Sequence, residues 1–450
     1  MLSDQQLHKQ IAGPSGFPII GSLVDLARDP LQFVTRLQSQ YGDIVQFSMG
    51  PAGKTVLVSH PDHIDQILLE TGKRYSRGNP TYALKTVLGN GLVTSEGDFW
   101  KRQRKLAAPA FHHQSIRQYA ELMVSYTHDM LRTWQNGAVR DVYEDMMFLT
   151  QRIIMKALFD VDMLDSARTA GEAFDAMIPG LGAEMNGLDA ILPDFVPTPS
   201  RTRMKDGVDY INGLLIDLVE QRRASDSTRH DLLTMLMNAR DDDDQPMTLQ
   251  QMLDEIRTLY LAGHETTANT LSWTWLLLSR NPAAYDQVQS EVESVLSGRP
   301  PTAEDVPNLP YCSAVIKEAL RCYPTAWIYQ RMALEDVEIA GYPVARDTNI
   351  WISPWVVHHD ERWYPQPQAF MPERWLKDKS EQPPRQAYIP FGGGPRICIG
   401  NGFAMMEGVL LLATILQQFR VSVLPDHPIE IGVAGTIRPK FGLRSSLTAV

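Results

Sequence analysis

The sequence of 450 residues is poor in cysteine, has no excess of positive charge and contains no long apolar run. Its three cysteines, Cys312, Cys322 and Cys398, are too few for the disulfide framework of a small secreted protein and favour a reducing compartment. Lys and Arg total 42 against 53 Asp and Glu, and the net charge of −11 argues against a nucleic acid partner. The longest uncharged apolar stretches, residues 270–278 and 408–416, fall well short of the ~20 residues that a transmembrane helix needs. The sequence therefore predicts a cytoplasmic protein with no transmembrane segment.

The composition that remains is that of a folded, enzyme-sized protein, with 44% hydrophobic and 21% charged residues. Two strand-like runs, residues 44–49 and 55–59, are separated by a Gly-Pro-Ala-Gly turn signal, which predicts a hairpin. Helical patterns dominate elsewhere, as between residues 98 and 178. No internal repeat and no clean linker divides the chain. We therefore expect one mainly α domain with a small β part over residues 1–450, in which residues 1–12 form a flexible N-terminus.

The longest helical pattern runs from Thr248 to Arg280. Thr248 and Gln251 have the spacing of a capping box, which predicts the N-terminus of the helix. At 1.5 Å per residue the helix would be roughly 50 Å long, enough to cross a whole domain. We expect it to end at Asn281-Pro282, where the Asn side chain can cap the following helix and Pro can occupy its first turn.

The middle of this helix interrupts its own apolar pattern with Ala-Gly-His-Glu-Thr-Thr at residues 262–267. The Thr266 hydroxyl can bond the carbonyl of Ala262 one turn back, which would open a groove for water or a small molecule. His264 and Glu265 begin a zinc-protease motif, but residue 268 is Ala where the second His should stand, so that reading fails. We expect His264 to be packed or solvated and not a ligand.

Cys398 lies in the segment Phe-Gly-Gly-Gly-Pro-Arg-Ile-Cys-Ile-Gly at residues 391–400, directly before the apolar run 403–419. A thiol at the N-terminus of a helix is stabilised as the thiolate by the macrodipole and by free N–H groups, so we expect an acidic thiol. Such a thiolate is a nucleophile or a metal ligand, and the alternative is an inert, buried Cys in a Gly-rich turn. A dinucleotide-binding loop is excluded because residue 397 is Ile where the third Gly should fall.

Two further spacings suit ion pairs. Glu318 and Arg321 share a helix face at i, i+3 and could hold a second arginine such as Arg374. Trp100 and Arg104, at i, i+4, present an indole donor and a guanidinium that suit a carboxylate ligand. Each spacing alone also fits an ordinary amphipathic helix.

The run Asp241 to Asp244 comes just before Gln245-Pro246. It lacks the spaced Gly and the terminal Glu of a calcium loop, so a carboxylate metal site is the weaker interpretation. We expect a solvated loop.

Four of these elements, taken together and in this order along the chain, resemble the cytochrome P450 haem-thiolate monooxygenases, in particular a soluble bacterial-type member. They are Trp100 with Arg104, residues 262–267, Glu318 with Arg321, and residues 391–400. The most specific element is Phe391-x-x-Gly394-x-Arg396-x-Cys398-x-Gly400, and the resemblance covers essentially the whole chain. It implies the P450 fold, mainly α with a small β part, as a single haem domain with a long central helix over the haem. It also implies that no reductase domain is fused to the chain.

The resemblance also implies a role for individual residues. Cys398 is implied as the metal ligand, the axial thiolate of the iron of haem b. Thr266 and Glu265 are implied as the catalytic pair that orders water and relays protons to bound dioxygen. Phe391 is implied to shield the sulfur. The other implied cofactor-binding residues pair the haem propionates or leave room above the iron: Trp100, Arg104, Arg331 and Arg396 for the propionates, and Ala262 and Gly263 for the space.

The implied function is activation of O2 with two electrons and two protons to hydroxylate or epoxidise a lipophilic small molecule of the fatty acid, terpenoid or steroid class. The electrons are implied to come from a separate ferredoxin or flavodoxin and its NAD(P)H reductase, which would dock near Lys101, Arg102 and Lys105. The alternatives are a non-catalytic haem-thiolate sensor or carrier and a hydroperoxide-rearranging enzyme of the same fold, and neither has need of a relay at Thr266. The substrate would contact mostly apolar walls: residues 82–88, 181–192 and 325–329, with Leu259 and Ala262.

Overall fold

A computed structural model describes residues 10–50, 53–78, 82–160, 192, 196–224, 231–376 and 382–450 of the chain. The expected flexible N-terminus is outside the described residues up to residue 9, and so is the expected substrate wall from residue 181 to residue 191. Everything below concerns the described part of the chain.

Helices account for most of the described residues, as the sequence predicts. In chain order they are α1 Leu23–Arg28, α2 Pro30–Tyr41, α3 Pro61–Leu69, α4 Tyr82–Leu88, α5 Gly97–Ala107, α6 His113–Arg117, α7 Ala120–Leu131, α8 Val142–Phe159, α9 Pro199–Ala224, α10 Leu232–Asn238, α11 Leu249–Arg280, α12 Pro282–Leu296, α13 Pro310–Cys322, α14 Pro354–His358 and α15 Asn401–Leu416. No helix among the described residues is at once long enough and apolar enough to span a bilayer.

The strands are short. They are β1 Ile44–Ser48, β2 Lys54–Val58, β3 Tyr75–Ser76, β4 Val139–Asp141, β5 Tyr329–Ala333, β6 Val337–Ile339, β7 Tyr342–Val344, β8 Asn349–Ile352, β9 Phe419–Val423, β10 Ile431–Val433, β11 Ile437–Pro439 and β12 Arg444–Ala449. The first two form the predicted antiparallel hairpin, with Ile44 opposite Val58. They begin a five-stranded sheet of order β1-β2-β8-β5-β3, in which only the β2–β8 pair is parallel.

The helical pattern expected from about residue 98 to residue 178 is wrong at residues 139–141, and its last part, residues 161–178, lies outside the described residues. Residues 139–141 form β4 and pair with β12, where Ser445 lies opposite Arg140. This strand completes a three-stranded sheet of order β4-β12-β9. A strand of three residues that exists only because a distant strand lies beside it leaves no periodicity in the sequence.

Helix α11 is the central element of the fold. The Thr248 hydroxyl accepts the Gln251 N–H at 3.2 Å and the Gln251 side chain accepts the Thr248 N–H at 2.8 Å, so the predicted capping box is confirmed. At the other end the prediction for Asn281 is wrong. Its side chain donates back to the carbonyl of Leu277 at 2.7 Å and does not cap α12, although Pro282 does occupy the first turn of that helix.

The main core surrounds the second half of α11, which packs against α8, α13 and α15. Trp273 and Trp275 are fully buried there, and the indole of Trp273 stacks on Tyr323 with ring centroids 4.3 Å apart. Because large apolar side chains fill this half of α11 completely, the helix is a rigid support for the residues in its middle.

Candidate active site

The loop that carries Cys398 is tightly folded. The Cys398 N–H donates to the carbonyl of Phe391 at 2.9 Å, and Cys398 lies just before the start of α15. Gly394 has a φ of +63°, and a Cβ at this position would lie 2.0 Å from the carbonyl oxygen of Leu68 in α3. Only Gly fits at this contact without a clash, so Gly394 lets the loop approach α3 closely.

Cys398 is an exposed residue of the chain, although protein atoms crowd its sulfur. The expectation of an acidic thiol is not confirmed. Burial of the sulfur among neighbouring protein atoms raises its pKa, while a hydrogen bond to the Gly400 backbone and the charge of Arg104 lower it. The effect of the helix N-terminus is therefore present, but loss of solvent around the sulfur outweighs it in the free chain.

Three arginines gather beside Glu96 and Trp100. Arg396 donates to Glu96 Oε2 at 2.7 Å and to the Ser95 carbonyl at 2.8 Å, and its guanidinium lies 3.9 Å from the centroid of the Trp100 ring. The backbone N–H of Arg77 donates to Glu96 Oε1 at 2.6 Å. Arg331, on β5, is buried and donates to Thr71 Oγ1 at 3.0 Å and to the Gln330 carbonyl at 2.7 Å.

The arginine cluster, which consists of Arg77, Arg331 and Arg396, carries more positive charge than Glu96 neutralises. Burial and the nearby charge of Arg396 together lower the pKa of Arg77 to about 10, while Glu96 opposes the shift. Burial also lowers the pKa of Arg331 to about 10, again with a contribution from the other two arginines. The three guanidinium groups outnumber the one neighbouring carboxylate, Glu96, so the cluster has an excess of positive charge, which propionates would neutralise. The cluster therefore fits the dianionic edge of a haem.

The residues implied for that edge lie near one another. Trp100, Arg331 and Arg396 come together, and Arg104 is close enough to Arg396 for its charge to add to burial in lowering the pKa of Arg396. Arg104 also donates to the Ile397 carbonyl at 2.8 Å and lies close enough to Cys398 for the thiolate charge to raise its pKa, which burial lowers. Arg77 also belongs to the cluster, although no motif in the sequence indicates it. The contact of Arg77 with Glu96 spans a gap of 19 residues and leaves no signature in the sequence.

The middle of α11 has the predicted distortion. Thr266 Oγ1 donates to the Ala262 carbonyl at 2.8 Å, and Thr267 Oγ1 donates to the Gly263 carbonyl at 3.2 Å. Ala262 is exposed although residues 252–260 before it are all buried, so the protein opens at this point of the helix.

Gly263 also lies against a neighbouring helix. A Cβ on Gly263 would lie 2.9 Å from Cδ1 of Ile154 on α8. Since that space belongs to a neighbouring helix, the missing side chain allows α8 and α11 to pack closely. His264 is fully buried and its Nδ1 lies 3.0 Å from the Tyr260 carbonyl, which confirms that it is packed.

Glu265 has a partner that sequence reasoning missed. Its Oε1 accepts a hydrogen bond of 2.6 Å from Thr436 Oγ1, in the turn between β10 and β11. The two residues are 171 positions apart in the sequence. A single hydroxyl in a short turn carries no recognisable pattern, so only the fold could reveal this contact.

The predicted ion-pair group of Glu318, Arg321 and Arg374 is confirmed. Arg321 donates to both carboxylate oxygens of Glu318, at 2.8 and 2.9 Å, and Arg374 Nε donates to Glu318 Oε1 at 3.3 Å. Arg321 also reaches three backbone carbonyls, those of His358, Pro367 and Ala369. Glu318 and Arg321 are completely buried, so this network ties α13 to the segment before the thiol loop.

The cations on the outer face of α5 are already paired. Lys101 contacts Asp98 at 2.8 Å, Arg102 contacts Asp241 at 2.5 Å and Lys105 contacts Asp242 at 2.5 Å. The run of aspartates is therefore a solvated loop, as expected, but two of its four carboxylates lie against the surface that was expected to receive an electron donor.

Phe391 lines a depression on the same side of the protein as the thiol loop. This depression has a volume of about 330 Å³ and is lined by Lys317, Tyr388, Phe391, Asn401, Gly402 and Met405. Phe391 is only partly buried and its carbonyl accepts the Cys398 N–H, so its ring lies close to the segment that holds the sulfur.

Comparison with known proteins agrees with this geometry. A family model described as cytochrome P450 matches residues 11–443. Cyclooctatin synthase of Streptomyces melanosporofaciens is 37% identical over 94% of this chain and 92% of its own, and pentalenene oxygenase of Streptomyces avermitilis is 33% identical over 98% of both. Cyclooctat-9-en-7-ol 5-monooxygenase of Streptomyces melanosporofaciens is 32% identical over 92% of this chain and 89% of its own. The crystal structure of the cytochrome P450DA haem domain superposes with a TM-score of 0.89 at 26% identity over 98% of both chains.

Proposed function

We propose, from the premise that this chain belongs to the cytochrome P450 family and is a P450 monooxygenase, that it oxidises an uncharged lipophile of the terpenoid class. The observation that carries the proposal is the opening at Ala262, in the middle of a buried helix, beside Thr266 and Glu265. The names of the relatives support the substrate class, because they describe oxidation of terpenoids such as pentalenene. Fatty acids and steroids remain the comparison classes.

The family implies a haem, and we infer haem b. Cys398 would hold the iron, and the arginine cluster with Trp100 would hold the propionates. When bound, haem with a thiolate ligand supplies dioxygen activation, since electron donation from sulfur favours O–O cleavage. Cys398 would be a thiolate when it holds the iron, although its pKa is raised in the free chain.

Thr266 and Glu265 would handle protons at this site. The Thr266 hydroxyl is fixed by its bond to Ala262, so its oxygen is held at one place beside the opening and can accept a hydrogen bond from water there. Glu265, one residue earlier, is partly exposed and is held through one carboxylate oxygen. A fixed hydroxyl beside a carboxylate that solvent can reach is an arrangement that accepts protons from outside and passes them inward.

Several described residues of the expected walls are apolar. Leu259, one turn before Ala262, Leu88 of α4 and Trp327 before β5 are buried apolar residues, whereas Thr325 is a buried polar one. Once the three arginines hold propionates, none of them remains for a carboxylate on a substrate. This favours an uncharged terpenoid over a fatty acid, and the pocket would set which carbon is oxidised by what it holds near the iron.

We also propose that a separate ferredoxin or flavodoxin, served by an NAD(P)H reductase, supplies the electrons. The three cysteines are all unpaired thiols, which supports a reducing compartment, the cytoplasm.

The proposal is tested with a panel of cyclic terpenes and fatty acids of similar size, scored by the water-displacing Soret shift. For a compound that binds, Thr266→Ala and Glu265→Gln should lower product formed per NAD(P)H by about tenfold, with hydrogen peroxide rising in its place, because proton delivery is lost. Thr274→Ala is the matched control, since Thr274 makes the same kind of bond to the carbonyl four residues back but lies in the buried core.

Unchanged product yield per reductant in Thr266→Ala would contradict the relay and favour a hydroperoxide-rearranging enzyme. Ligand binding without any turnover in the unaltered protein would favour a sensor or carrier.

A further inference from the structure

The hairpin of β10 and β11 is connected to both residues of the proposed proton relay. Its first connection is the hydrogen bond of 2.6 Å from Thr436 Oγ1 to Glu265 Oε1. Both side chains are partly exposed, so burial alone does not force them to pair. A carboxylate in reach of water could be satisfied by solvent, and a bond this short to a specific hydroxyl fixes one oxygen in place instead.

The second connection reaches the backbone of Thr266. The Ile437 N–H donates to the Thr325 carbonyl at 3.0 Å, and the Thr325 hydroxyl lies 3.2 Å from the Thr270 hydroxyl. Thr270 Oγ1 in turn donates to the Thr266 carbonyl at 2.8 Å. Residues 436 and 437 of the hairpin are therefore linked to residues 265 and 266 of α11 by two separate sets of hydrogen bonds.

The hairpin itself is anchored at its turn. Trp327 Nε1 donates to the Ala434 carbonyl at 2.9 Å, and Trp273 Nε1 donates to the Ile437 carbonyl at 3.3 Å. The Ala434 N–H closes the turn on the Thr436 carbonyl at 2.9 Å. Since both indoles are buried and belong to the rigid part of the fold, Thr436 presents its hydroxyl from a fixed position.

We propose that Thr436 is a positioning residue of the proton relay, which holds the Glu265 carboxylate in the orientation that serves Thr266. This inference rests on the proposed function of Glu265 and Thr266. With Oε1 fixed by Thr436, the carboxylate cannot rotate freely, and its other oxygen keeps one direction relative to the opening at Ala262. Proton transfer depends steeply on such alignment, so loss of the hydroxyl should disturb proton delivery without removing any acid or base.

The test compares Thr436→Val, which keeps the shape of the side chain and loses the hydroxyl, with Thr436→Ser, which keeps the hydroxyl. In Thr436→Val, product formed per NAD(P)H should fall roughly 3- to 10-fold and the solvent deuterium isotope effect on kcat should rise. In Thr436→Ser both values should stay near those of the unaltered protein. The spectral Kd for the terpene that binds in the panel above should change less than about twofold in either variant, because Thr436 acts through Glu265.

A second measurement is independent of turnover. The infrared carboxylate band that disappears in Glu265→Gln should shift in Thr436→Val, where the carboxylate loses its donor, and should stay in place in Thr436→Ser. An unshifted band in Thr436→Val would overturn the inference whatever the activity does.

The outcomes separate this inference from the function on which it rests. If Glu265→Gln uncouples the reaction and Thr436→Val does not, the positioning role is wrong and the relay stands. If Glu265→Gln has no effect on coupling, the proposed relay itself fails. A weaker Kd with unchanged coupling in Thr436→Val would make Thr436 a wall of the substrate site and overturn the positioning role. In the double variant, the valine should add nothing to the effect of Glu265→Gln.

Discussion

Replacing Arg331 by Met should have opposite effects on the free chain and on its complex with haem. In the free chain the surroundings of Arg331 disfavour its positive charge, since burial and the two neighbouring arginines lower its pKa from 12.5 to about 10. A reduction of this size corresponds to about 3 kcal/mol of unfavourable free energy for the charged form. Its hydrogen bonds to Thr71 and to the Gln330 carbonyl return about 1 kcal/mol each. We therefore expect Arg331→Met to stabilise the haem-free chain by about 1 kcal/mol.

The complex should respond in the other direction. A charge-assisted hydrogen bond to a propionate contributes about 1.5–3 kcal/mol, so its loss should weaken haem binding by roughly 10- to 150-fold. The assay has two parts: urea unfolding of the haem-free chain, and transfer of haem from the holoprotein to an excess of a haem-binding acceptor. Arg346→Met, at an exposed arginine with only a distant partner in Asp347, is the control and should change neither value by more than about 0.5 kcal/mol.

Two results would refute this reasoning. If Arg331→Met destabilised the haem-free chain by more than about 2 kcal/mol, Arg331 would be a structural residue whose charge is satisfied by the protein. If haem left the Arg331→Met variant as slowly as it leaves the unaltered protein, the excess positive charge of the cluster would not serve haem binding.

Two further predictions concern carboxylates. Burial raises the pKa of Glu255 to about 8, against a hydrogen bond from the Leu92 N–H, so the folded protein holds a proton there that the unfolded chain releases near pH 4.5. The free energy of unfolding should therefore fall as pH rises from about 4.5 to about 8, and Glu255→Gln should remove that fall. In urea unfolding, the variant should gain on the order of 2–4 kcal/mol of unfolding free energy at pH 8 and little at pH 4.5. Equal gains at both pH values would contradict the assignment. The double variant Asp241→Asn with Asp242→Asn removes the carboxylates that pair with Arg102 and Lys105, and it should lower the KM for an acidic ferredoxin by about 3-fold at low salt. The control, Asp243→Asn with Asp244→Asn, removes the same charge and should leave this KM unchanged. Equal effects of the two double variants would show that only net charge matters.

The sequence predicts the parts of this site that local spacing encodes. The capping box of α11, the bond of Thr266 to Ala262 and the pair of Glu318 with Arg321 all lie within four residues, so one turn of helix brings the partners together. The thiol loop is recognisable because several glycines are needed at fixed places around one Cys. These features were sufficient to identify the family from the residues alone.

The contacts that tune the site join segments that are far apart, and no spacing encodes them. Thr436 reaches Glu265 across 171 residues, and Arg396 reaches Glu96 across 300. The pKa of Cys398 illustrates the same limit, because the helix N-terminus can be read from the sequence but the atoms that bury the sulfur cannot. A local motif thus predicts which group is present, and the fold decides its charge and orientation.

The charged side chains of the described part of the chain bear on substrate selectivity. Burial raises the pKa of Glu407, on α15, to about 8, as it does for Glu255, so both acids are largely neutral at pH 7 and add no negative charge. The arginine cluster has an excess of positive charge, although the whole chain carries −11. Haem propionates would cancel that excess and leave no cation of the cluster free for a second anion. A carboxylate on a substrate would consequently lose its water without gaining a partner there, and the site should discriminate against it and in favour of an uncharged terpene.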